Sequence, residues 1–253
     1  MIRYAILTSG SCGNSYAFYD GNTVVLVDAG LTLTGLKRRL EEAAIPFDSI
    51  SHVFITHMHP DHSKGLGVIR RRMNATLHAS RPCMDSDEPL FAKLGLKRSD
   101  VELFDFMTPV QAASFTFIPF RTSHDSAGSA GYFIKGGDAC FFLMTDTGIY
   151  SAESLDFAHR SDVVFLESNY DDQLLECGHY PAFLKARIRG ERGHLSNSQA
   201  RSFVSEIGPE GRKIFLVHVS DNNNTVEKVS SLYGGDENIT VCERGRMYGG
   251  FDV

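Results

Sequence analysis

Three histidines and an aspartate crowd into six residues of ITHMHPDHSKG, at positions 55–65. They stand where an apolar run, His52–Thr56, gives way to a helical pattern. A solvated loop has no need of His57, His59 and His62 at that density. Neutral imidazole nitrogen and carboxylate oxygen both suit zinc, and they tolerate manganese or iron. After a strand end, His57 and His59 can project to one side. Asp61 and His62 lie at the start of the next helix and can reach a neighbouring point. The stretch therefore supplies two sets of ligands.

A dinuclear site needs more donors, and the later strand ends offer them. His124 follows FTFIPFRTS, Asp146 follows CFFLMT, and His218 follows IFLV. Taken singly, each fits a capped loop residue, and a lone strand-end histidine is more often structural than a ligand. Their shared position, where loops gather on a rigid scaffold, favours function. Asp146 is the natural bridging carboxylate.

The remaining pattern alternates short apolar runs with helical stretches. Strands are expected at Ile2–Leu7, Thr23–Val27, Val101–Phe106, Phe115–Phe120, Tyr132–Lys135, Cys140–Thr145, Asp162–Glu167 and Lys213–Val219. Helices are expected at Leu33–Ala44, around Gly65–Met73, at Ser198–Ile207 and at Val226–Leu232. No repeat or linker divides the chain. The expectation is one α/β domain over residues 1–253, two sheets face to face with helices outside. A 42% hydrophobic content is enough for a substantial core. The net charge of -6 excludes a generally basic nucleic-acid coat, though not a nucleic-acid enzyme whose carboxylates bind cations. The 5 cysteines are odd in number, dispersed, and form no Cys-x-x-Cys pair. A reduced, cytoplasmic protein is expected, with neither signal peptide nor membrane span.

THMHPDH, with VDAG before it and SH, TDTG and VHVS after it, resembles the metallo-β-lactamase superfamily. The resemblance implies a four-layer αβ/βα sandwich, two mixed β-sheets with helices outside and a two-metal site at one edge. It implies that His57, His59 and His124 hold one metal, that Asp61, His62 and His218 hold the other, and that Asp146 bridges them. Asp28, in VDAG, would support these ligands from behind. GSCGNS, THMHPDHSKGL, TSHDS, LESNYD, GERGHLSNSQA and VHVSDNN together look like the YycJ-like (WalJ-like) bacterial branch, associated with 5′-to-3′ DNA exonuclease activity. The tail is also similar to that of RNase Z, which implies catalytic assistance from Glu167 and His194. Two positions depart from the branch: Cys12 stands where a second Ser is usual, and His179 where Pro is frequent. Cys12 is read as a small residue in a turn.

The implied activity is metal-dependent phosphodiester hydrolysis. Two divalent ions, zinc or manganese with iron tolerated, would make hydroxide available near neutral pH. Asp61 then serves both as ligand and in catalysis. His194, oriented by Glu167, would protonate the leaving alkoxide. Ser196-x-x-Gln199 is a capping-box pattern opening a helix, and Ser196 and Asn197 at that start are candidate phosphate contacts. Ser220, Asn222 and Asn223 could bond phosphate oxygens, or Asn222–Asn224 could form only a turn. Lys185, Arg187, Arg189 and Arg192 could track a nucleic-acid backbone, most simply DNA with a 5′ end. Lys37–Arg39 and Arg70–Arg72 read as solvated helix faces. The rival readings are a small-molecule (cyclic or nucleotide) phosphodiesterase, an RNA-processing nuclease, and a non-catalytic module. The full ligand set speaks against the last.

Overall fold

Every side chain of Val24–Val27 is buried, and successive residues enter different cores. Val24 and Leu26 join one cluster, Val25 and Val27 another. A strand covered on both faces belongs inside a layered architecture. The computed structural model describes all 253 residues and contains two seven-stranded sheets. The first is built from β1 (Arg3–Thr8), β2 (Ser15–Tyr19), β3 (Val24–Val27), β4 (Ile50–Phe54), β5 (Thr76–Ser80) and β6 (Val101–Phe104). The second uses β7 (Val110–Ala112), β8 (Phe115–Arg121), β9 (Ala130–Gly136), β10 (Ala139–Met144), β11 (Val163–Glu167), β12 (Lys213–Val217) and β13 (Ile239–Val241). The last strand, β14 (Tyr248–Asp252), returns to pair antiparallel with β1. The orders are β14-β1-β2-β3-β4-β5-β6 and β13-β12-β11-β10-β9-β8-β7. Each sheet is mixed: β3 to β6 and β10 to β13 run parallel, the rest antiparallel.

Helices α1 (Leu33–Glu42), α2 (Pro60–Ser63), α3 (Leu66–Met73) and α4 (Arg81–Lys93) follow strands of the first sheet. α5 (Ala152–His159), α6 (Asp172–Cys177), α7 (Ala182–Arg189), α8 (Asn197–Ile207) and α9 (Val226–Ser231) belong with the second. Leu36, Leu40, Ile69, Met84 and Phe91 carry the first group onto one sheet. Phe157, Phe203, Val204 and Val229 carry the second onto the other. Between the sheets lies an aromatic core of Tyr4, Tyr16, Phe18, Phe54, Phe115, Phe117, Phe141, Phe165 and Phe215. With no Trp in the chain, its 18 Phe residues supply the bulk. This is the four-layer sandwich expected above.

Most expected elements appear with ends shifted by a residue or two. The sheets also contain β2, β5, β7, β13 and β14, and the outside carries α4, α5, α6 and α7, which the apolar pattern did not reveal. No helix is long and apolar enough to cross a membrane, and all five cysteines are free. Lys37, Arg38 and Arg39 form surface ion pairs along α1 with Glu41 and Glu42, as a solvated face should.

The strand ends set the site. β3, β4, β10, β11 and β12 finish at the same edge, just before Asp28, His57, Asp146, Ser168 and His218. Three of these residues adopt the left-handed region: Asp28 at φ 60°, Asp146 at φ 55° and His218 at φ 56°. For non-glycine residues this costs on the order of 1–3 kcal/mol each. Here it turns each side chain at the point where its strand stops.

Candidate metal centre

One hydrogen-bond system fixes which nitrogen of each imidazole faces inward. Asp28 is fully buried and accepts the Thr56 backbone N–H at 2.8 Å and the Thr56 hydroxyl at 2.7 Å. That hydroxyl has spent its proton, so the His57 Nδ1 at 3.1 Å must donate to it. The same Oδ2 that takes the Thr56 hydroxyl also accepts from His62 Nδ1 at 2.7 Å. His124 Nδ1 donates to the Gly193 carbonyl at 3.1 Å, and His218 Nδ1 to Glu167 Oε1 at 2.8 Å. All four rings therefore carry the outer proton on Nδ1 and can turn an Nε2 lone pair inward.

The inward atoms converge. His57 Nε2 and His124 Nε2 lie 3.0 and 3.3 Å from His59 Nδ1. These three donors form one group, all within 4.8 Å of one another. Asp61, His62 and His218 form a second, with Asp61 Oδ2 at 3.6 Å from His62 Nε2 and 3.8 Å from His218 Nε2. Asp146 stands between them. Its Oδ2 is 3.3 Å from His62 Nε2 and its Oδ1 3.9 Å from His124 Nε2. All seven candidate ligands thus come together, three to a side with a carboxylate in the middle.

Charge favours a cation here. Burial alone would neutralise His62, yet Asp146 and Asp28 raise it to about 9. His218 is also buried, and Asp146, Asp61 and Glu167 lift it well above its usual range. Burial and the charge on His62 hold His57 well below its own. Against burial, His218, His62, His57 and His124 keep Asp146 ionised, far below ordinary carboxylates. The carboxylates thus demand positive charge at the centre, and divalent cations can supply it in place of protons. His218 Nε2 is buried without any hydrogen-bond partner. An orphan nitrogen 3.8 Å from the Asp61 carboxylate is what a ligand position requires. The residues fit a divalent pair.

Behind the ligands, two glycines let loops pass at contact distance. A Cβ on Gly30 would meet the Asp61 carbonyl at 1.8 Å, and one on Gly13 the Gly30 carbonyl at 2.1 Å. Asn14 N–H donates to that Asp61 carbonyl at 2.7 Å, and Gly30 N–H to the Asn14 carbonyl at 2.8 Å. GSCGNS is therefore wired to the backbone of Asp61, and its Asn14 amide reaches His62 Nε2 at 2.9 Å. Cys12 is half-buried in this turn, beside Thr8.

The cleft over the centre is lined by His59, Asp61, His124, Asp146, His194 and His218, with Ser220, Asn222, Asn223, Tyr180, Leu184 and Arg187 around the mouth. His194 Nδ1 donates to Glu167 Oε1 at 2.7 Å, so its Nε2 is left for the cleft. Glu167 is fully buried, and His194 and His218 outweigh that burial to keep it ionised below the usual carboxylate range.

Ser196 and Asn197 do not line the cleft. The Ser196 hydroxyl accepts from Gln199 N–H at 3.2 Å as the cap of α8. Asn197 is buried, accepting from Ser168 and Asn224 at 2.8 and 2.7 Å, and its own N–H goes to the Tyr170 carbonyl. The start of α8 spends its polar groups inside the fold, so it is not an open anion site. The basic run is also largely paired. Arg187 meets Asp125, Arg189 meets Glu176 at 2.6 Å, Lys185 reaches the Glu176 carbonyl, and Arg192 the His124 carbonyl. Sequence reasoning passed over Asn14, Thr56, Asp125 and Asn169, whose amide donates to the His218 carbonyl at 2.9 Å. For Asp125 a signal existed, an acid directly after His124.

Comparison with known proteins shows the family and the fold. The family described as "Beta-lactamase superfamily domain" matches residues 23–219, well over half of the chain. Exodeoxyribonuclease WalJ of Streptococcus pneumoniae serotype 2 is 31% identical over 226 residues, 89% of this chain and 84% of that protein. Exodeoxyribonuclease YycJ of Bacillus anthracis is 29% identical over 233 residues, 89% and 85% of the two chains. Among solved structures, the metallo-β-lactamase fold protein YhfI from Bacillus subtilis superposes with a TM-score of 0.71 at 18% identity, covering 98% of this chain and 99% of that one.

Proposed function

This chain belongs to the β-lactamase superfamily, in its YycJ-like (WalJ-like) branch, and as a metallo-β-lactamase-fold hydrolase with nuclease relatives we propose that it degrades DNA from a 5′ end. His57, His59 and His124 would hold one divalent ion, Asp61, His62 and His218 a second, and Asp146 both. Zinc or manganese suits this mixed nitrogen and oxygen set. When bound, such a pair supplies an acidified water and positive charge for the phosphoryl oxygens.

The chain's own residues complete the reaction. A sugar alkoxide leaves poorly without a proton. His194 reaches into the cleft with Nε2 while Glu167 holds Nδ1 at 2.7 Å. Burial disfavours its charged form, but Glu167 and Asp146 raise its pKa, which favours the protonated ring that a proton donor needs. Ser220, Asn222 and Asn223 would contact phosphate oxygens from the cleft wall. Arg187 would add charge at the mouth, tempered by Asp125, while Arg189, paired with Glu176 and outside the cleft lining, would meet only a longer strand. Five unpaired, dispersed cysteines suit a reducing compartment, the cytoplasm.

The observation that carries this reading is the His194–Glu167 pair opening beside the seven converging donors. A substrate panel tests it: metal-loaded protein with linear DNA, RNA, cyclic mononucleotides and bis(p-nitrophenyl) phosphate. DNA should turn over with the highest kcat/KM. A preference for cyclic mononucleotides would move the assignment to a small-molecule phosphodiesterase.

A further inference from the structure

Four of the five candidate ligand imidazoles have the outward nitrogen tied to an acceptor. His59 differs in two ways. It faces the other rings with Nδ1, so the nitrogen that needs an outer partner is Nε2. No acceptor bonds that nitrogen, and the carboxylate beside it is Asp125, with Oδ1 at 3.7 Å. Asp125 Oδ1 is itself buried without a hydrogen-bond partner. It also lies 3.4 Å from His124 Nε2. Its second oxygen accepts from Arg187 Nε on α7, the helix that walls the cleft. Two unsatisfied groups thus face each other across less than one ångström of excess distance, and one is anchored from the far side.

We infer that Asp125 is the positioning residue for His59, accepting its Nε2–H and fixing Nδ1 toward the metal, with Arg187 as the anchor of that carboxylate. The inference rests on reading His57, His59 and His124 as one ion's ligands. An Nδ1-ligating ring can rotate about its Cβ–Cγ bond, and no hydrogen bond holds His59 at its far nitrogen. An acceptor there fixes both the tautomer and the ring plane. The same pair ties α7 to the centre, so Arg187 acts first on a ligand and only secondarily on substrate.

The test uses equilibrium metal affinity, read by competition with a chromophoric chelator, together with the cobalt(II) absorption spectrum. Elemental analysis of wild-type protein comes first: if it holds no ion, the ligand reading itself has failed, independently of Asp125. Given bound metal, Asp125→Ala should weaken one of the two ions by about 10–100-fold and shift its cobalt bands. Asp125→Asn keeps an acceptor oxygen and should recover most of that loss. Arg187→Ala, which only frees the carboxylate, should fall between wild type and Asp125→Ala. In a His59→Ala background, Asp125→Ala should add nothing. Circular dichroism confirms that each variant is folded. Unchanged affinity and spectrum in Asp125→Ala would overturn the inference. So would an Asp125→Asn loss equal to that of alanine, since that marks a direct metal ligand.

Discussion

Replacing His194 by alanine should separate proton donation from every other role in the cleft. Its only strong partner is Glu167 Oε1 at 2.7 Å, and although it gathers with Asp146, Glu167 and His218, it belongs to neither group of three donors proposed for the metals. The variant should therefore keep both ions and the fold. Loss of a general acid slows a reaction by roughly 10²–10⁴-fold, or about 2.7–5.4 kcal/mol of barrier. That loss applies in full to DNA, whose leaving oxygen is a sugar alkoxide. It should almost vanish on bis(p-nitrophenyl) phosphate, because p-nitrophenolate departs without a proton. Glu167 sharpens the test. Its Oε1 also accepts from His218 at 2.8 Å, while Oε2 takes the N–H groups of Thr147 and Leu195 at 3.0 and 3.2 Å. Glu167→Gln keeps the volume but weakens charge-assisted bonds worth about 1.5–3 kcal/mol each. It should depress DNA cleavage through His194 and metal affinity through His218. Added to His194→Ala, it should cost only the metal-linked part, so the two substitutions are non-additive on DNA. The assay is kcat for both substrates and all four proteins, at limiting and at saturating metal. Equal slowing of His194→Ala on DNA and on the activated diester would refute proton donation and leave His194 a phosphate-positioning group.

Elemental analysis should find about two transition-metal ions per chain, and Asp146→Ala, which removes the carboxylate between the two groups, should lower that count and abolish activity; full occupancy in the variant would remove Asp146 from the site. Gly30→Ala would drive a Cβ to 1.8 Å from the Asp61 carbonyl and 2.4 Å from Asn14 N, so it should cost roughly 3 kcal/mol or more and weaken metal retention. A wild-type urea midpoint would show that these loops move apart freely. Away from the site, burial and the neighbouring His52 on β4 push His78 on β5 down to about 3, with Glu102 of β6 at 3.6 Å on its other side. The folded pKa lies below the unfolded one, so stability is full above about pH 6.5 and drains as pH falls toward 3. Between about pH 8 and 5 the loss from this group is roughly 2 kcal/mol, and His78→Leu should flatten the pH dependence of the urea unfolding free energy by that amount.

How much of this was legible follows from how local each signal is. The ligands of THMHPDH are contiguous, and His124, Asp146 and His218 each follow an apolar strand, so they could be named from the sequence. The αβ/βα layering was legible for the same reason, because strands such as Val163–Glu167 are apolar on both faces. α7 was not, because PAFLKARIRG mixes exposed Phe183 with charges and reads as a basic run. α4 was hidden by Pro89 and a kink at Asp87. Pairing was also out of reach. Nothing local reveals that Arg187 finds Asp125 across 62 residues, or that Asn14 stands under His62. Ser196 and Asn197 show the limit of a motif. The capping box placed the helix start correctly, but whether its polar side chains face the cleft or the interior depends on Ser168 and Asn224, set by distant strands.

Which end of which polymer the protein attacks decides its assignment most directly. Metal-loaded protein should be incubated with matched linear DNA and RNA of one sequence, labelled at either end, with the 5′ or the 3′ terminus blocked. The expected result is stepwise release of nucleotides from the 5′ end of DNA, stopped by a 5′ block, indifferent to a 3′ block, and lost in His194→Ala protein that retains its metals. Degradation that proceeds past a 5′ block and halts at a 3′ block would contradict the proposed polarity. DNA left intact by metal-replete protein that cleaves small diesters would contradict the proposed substrate.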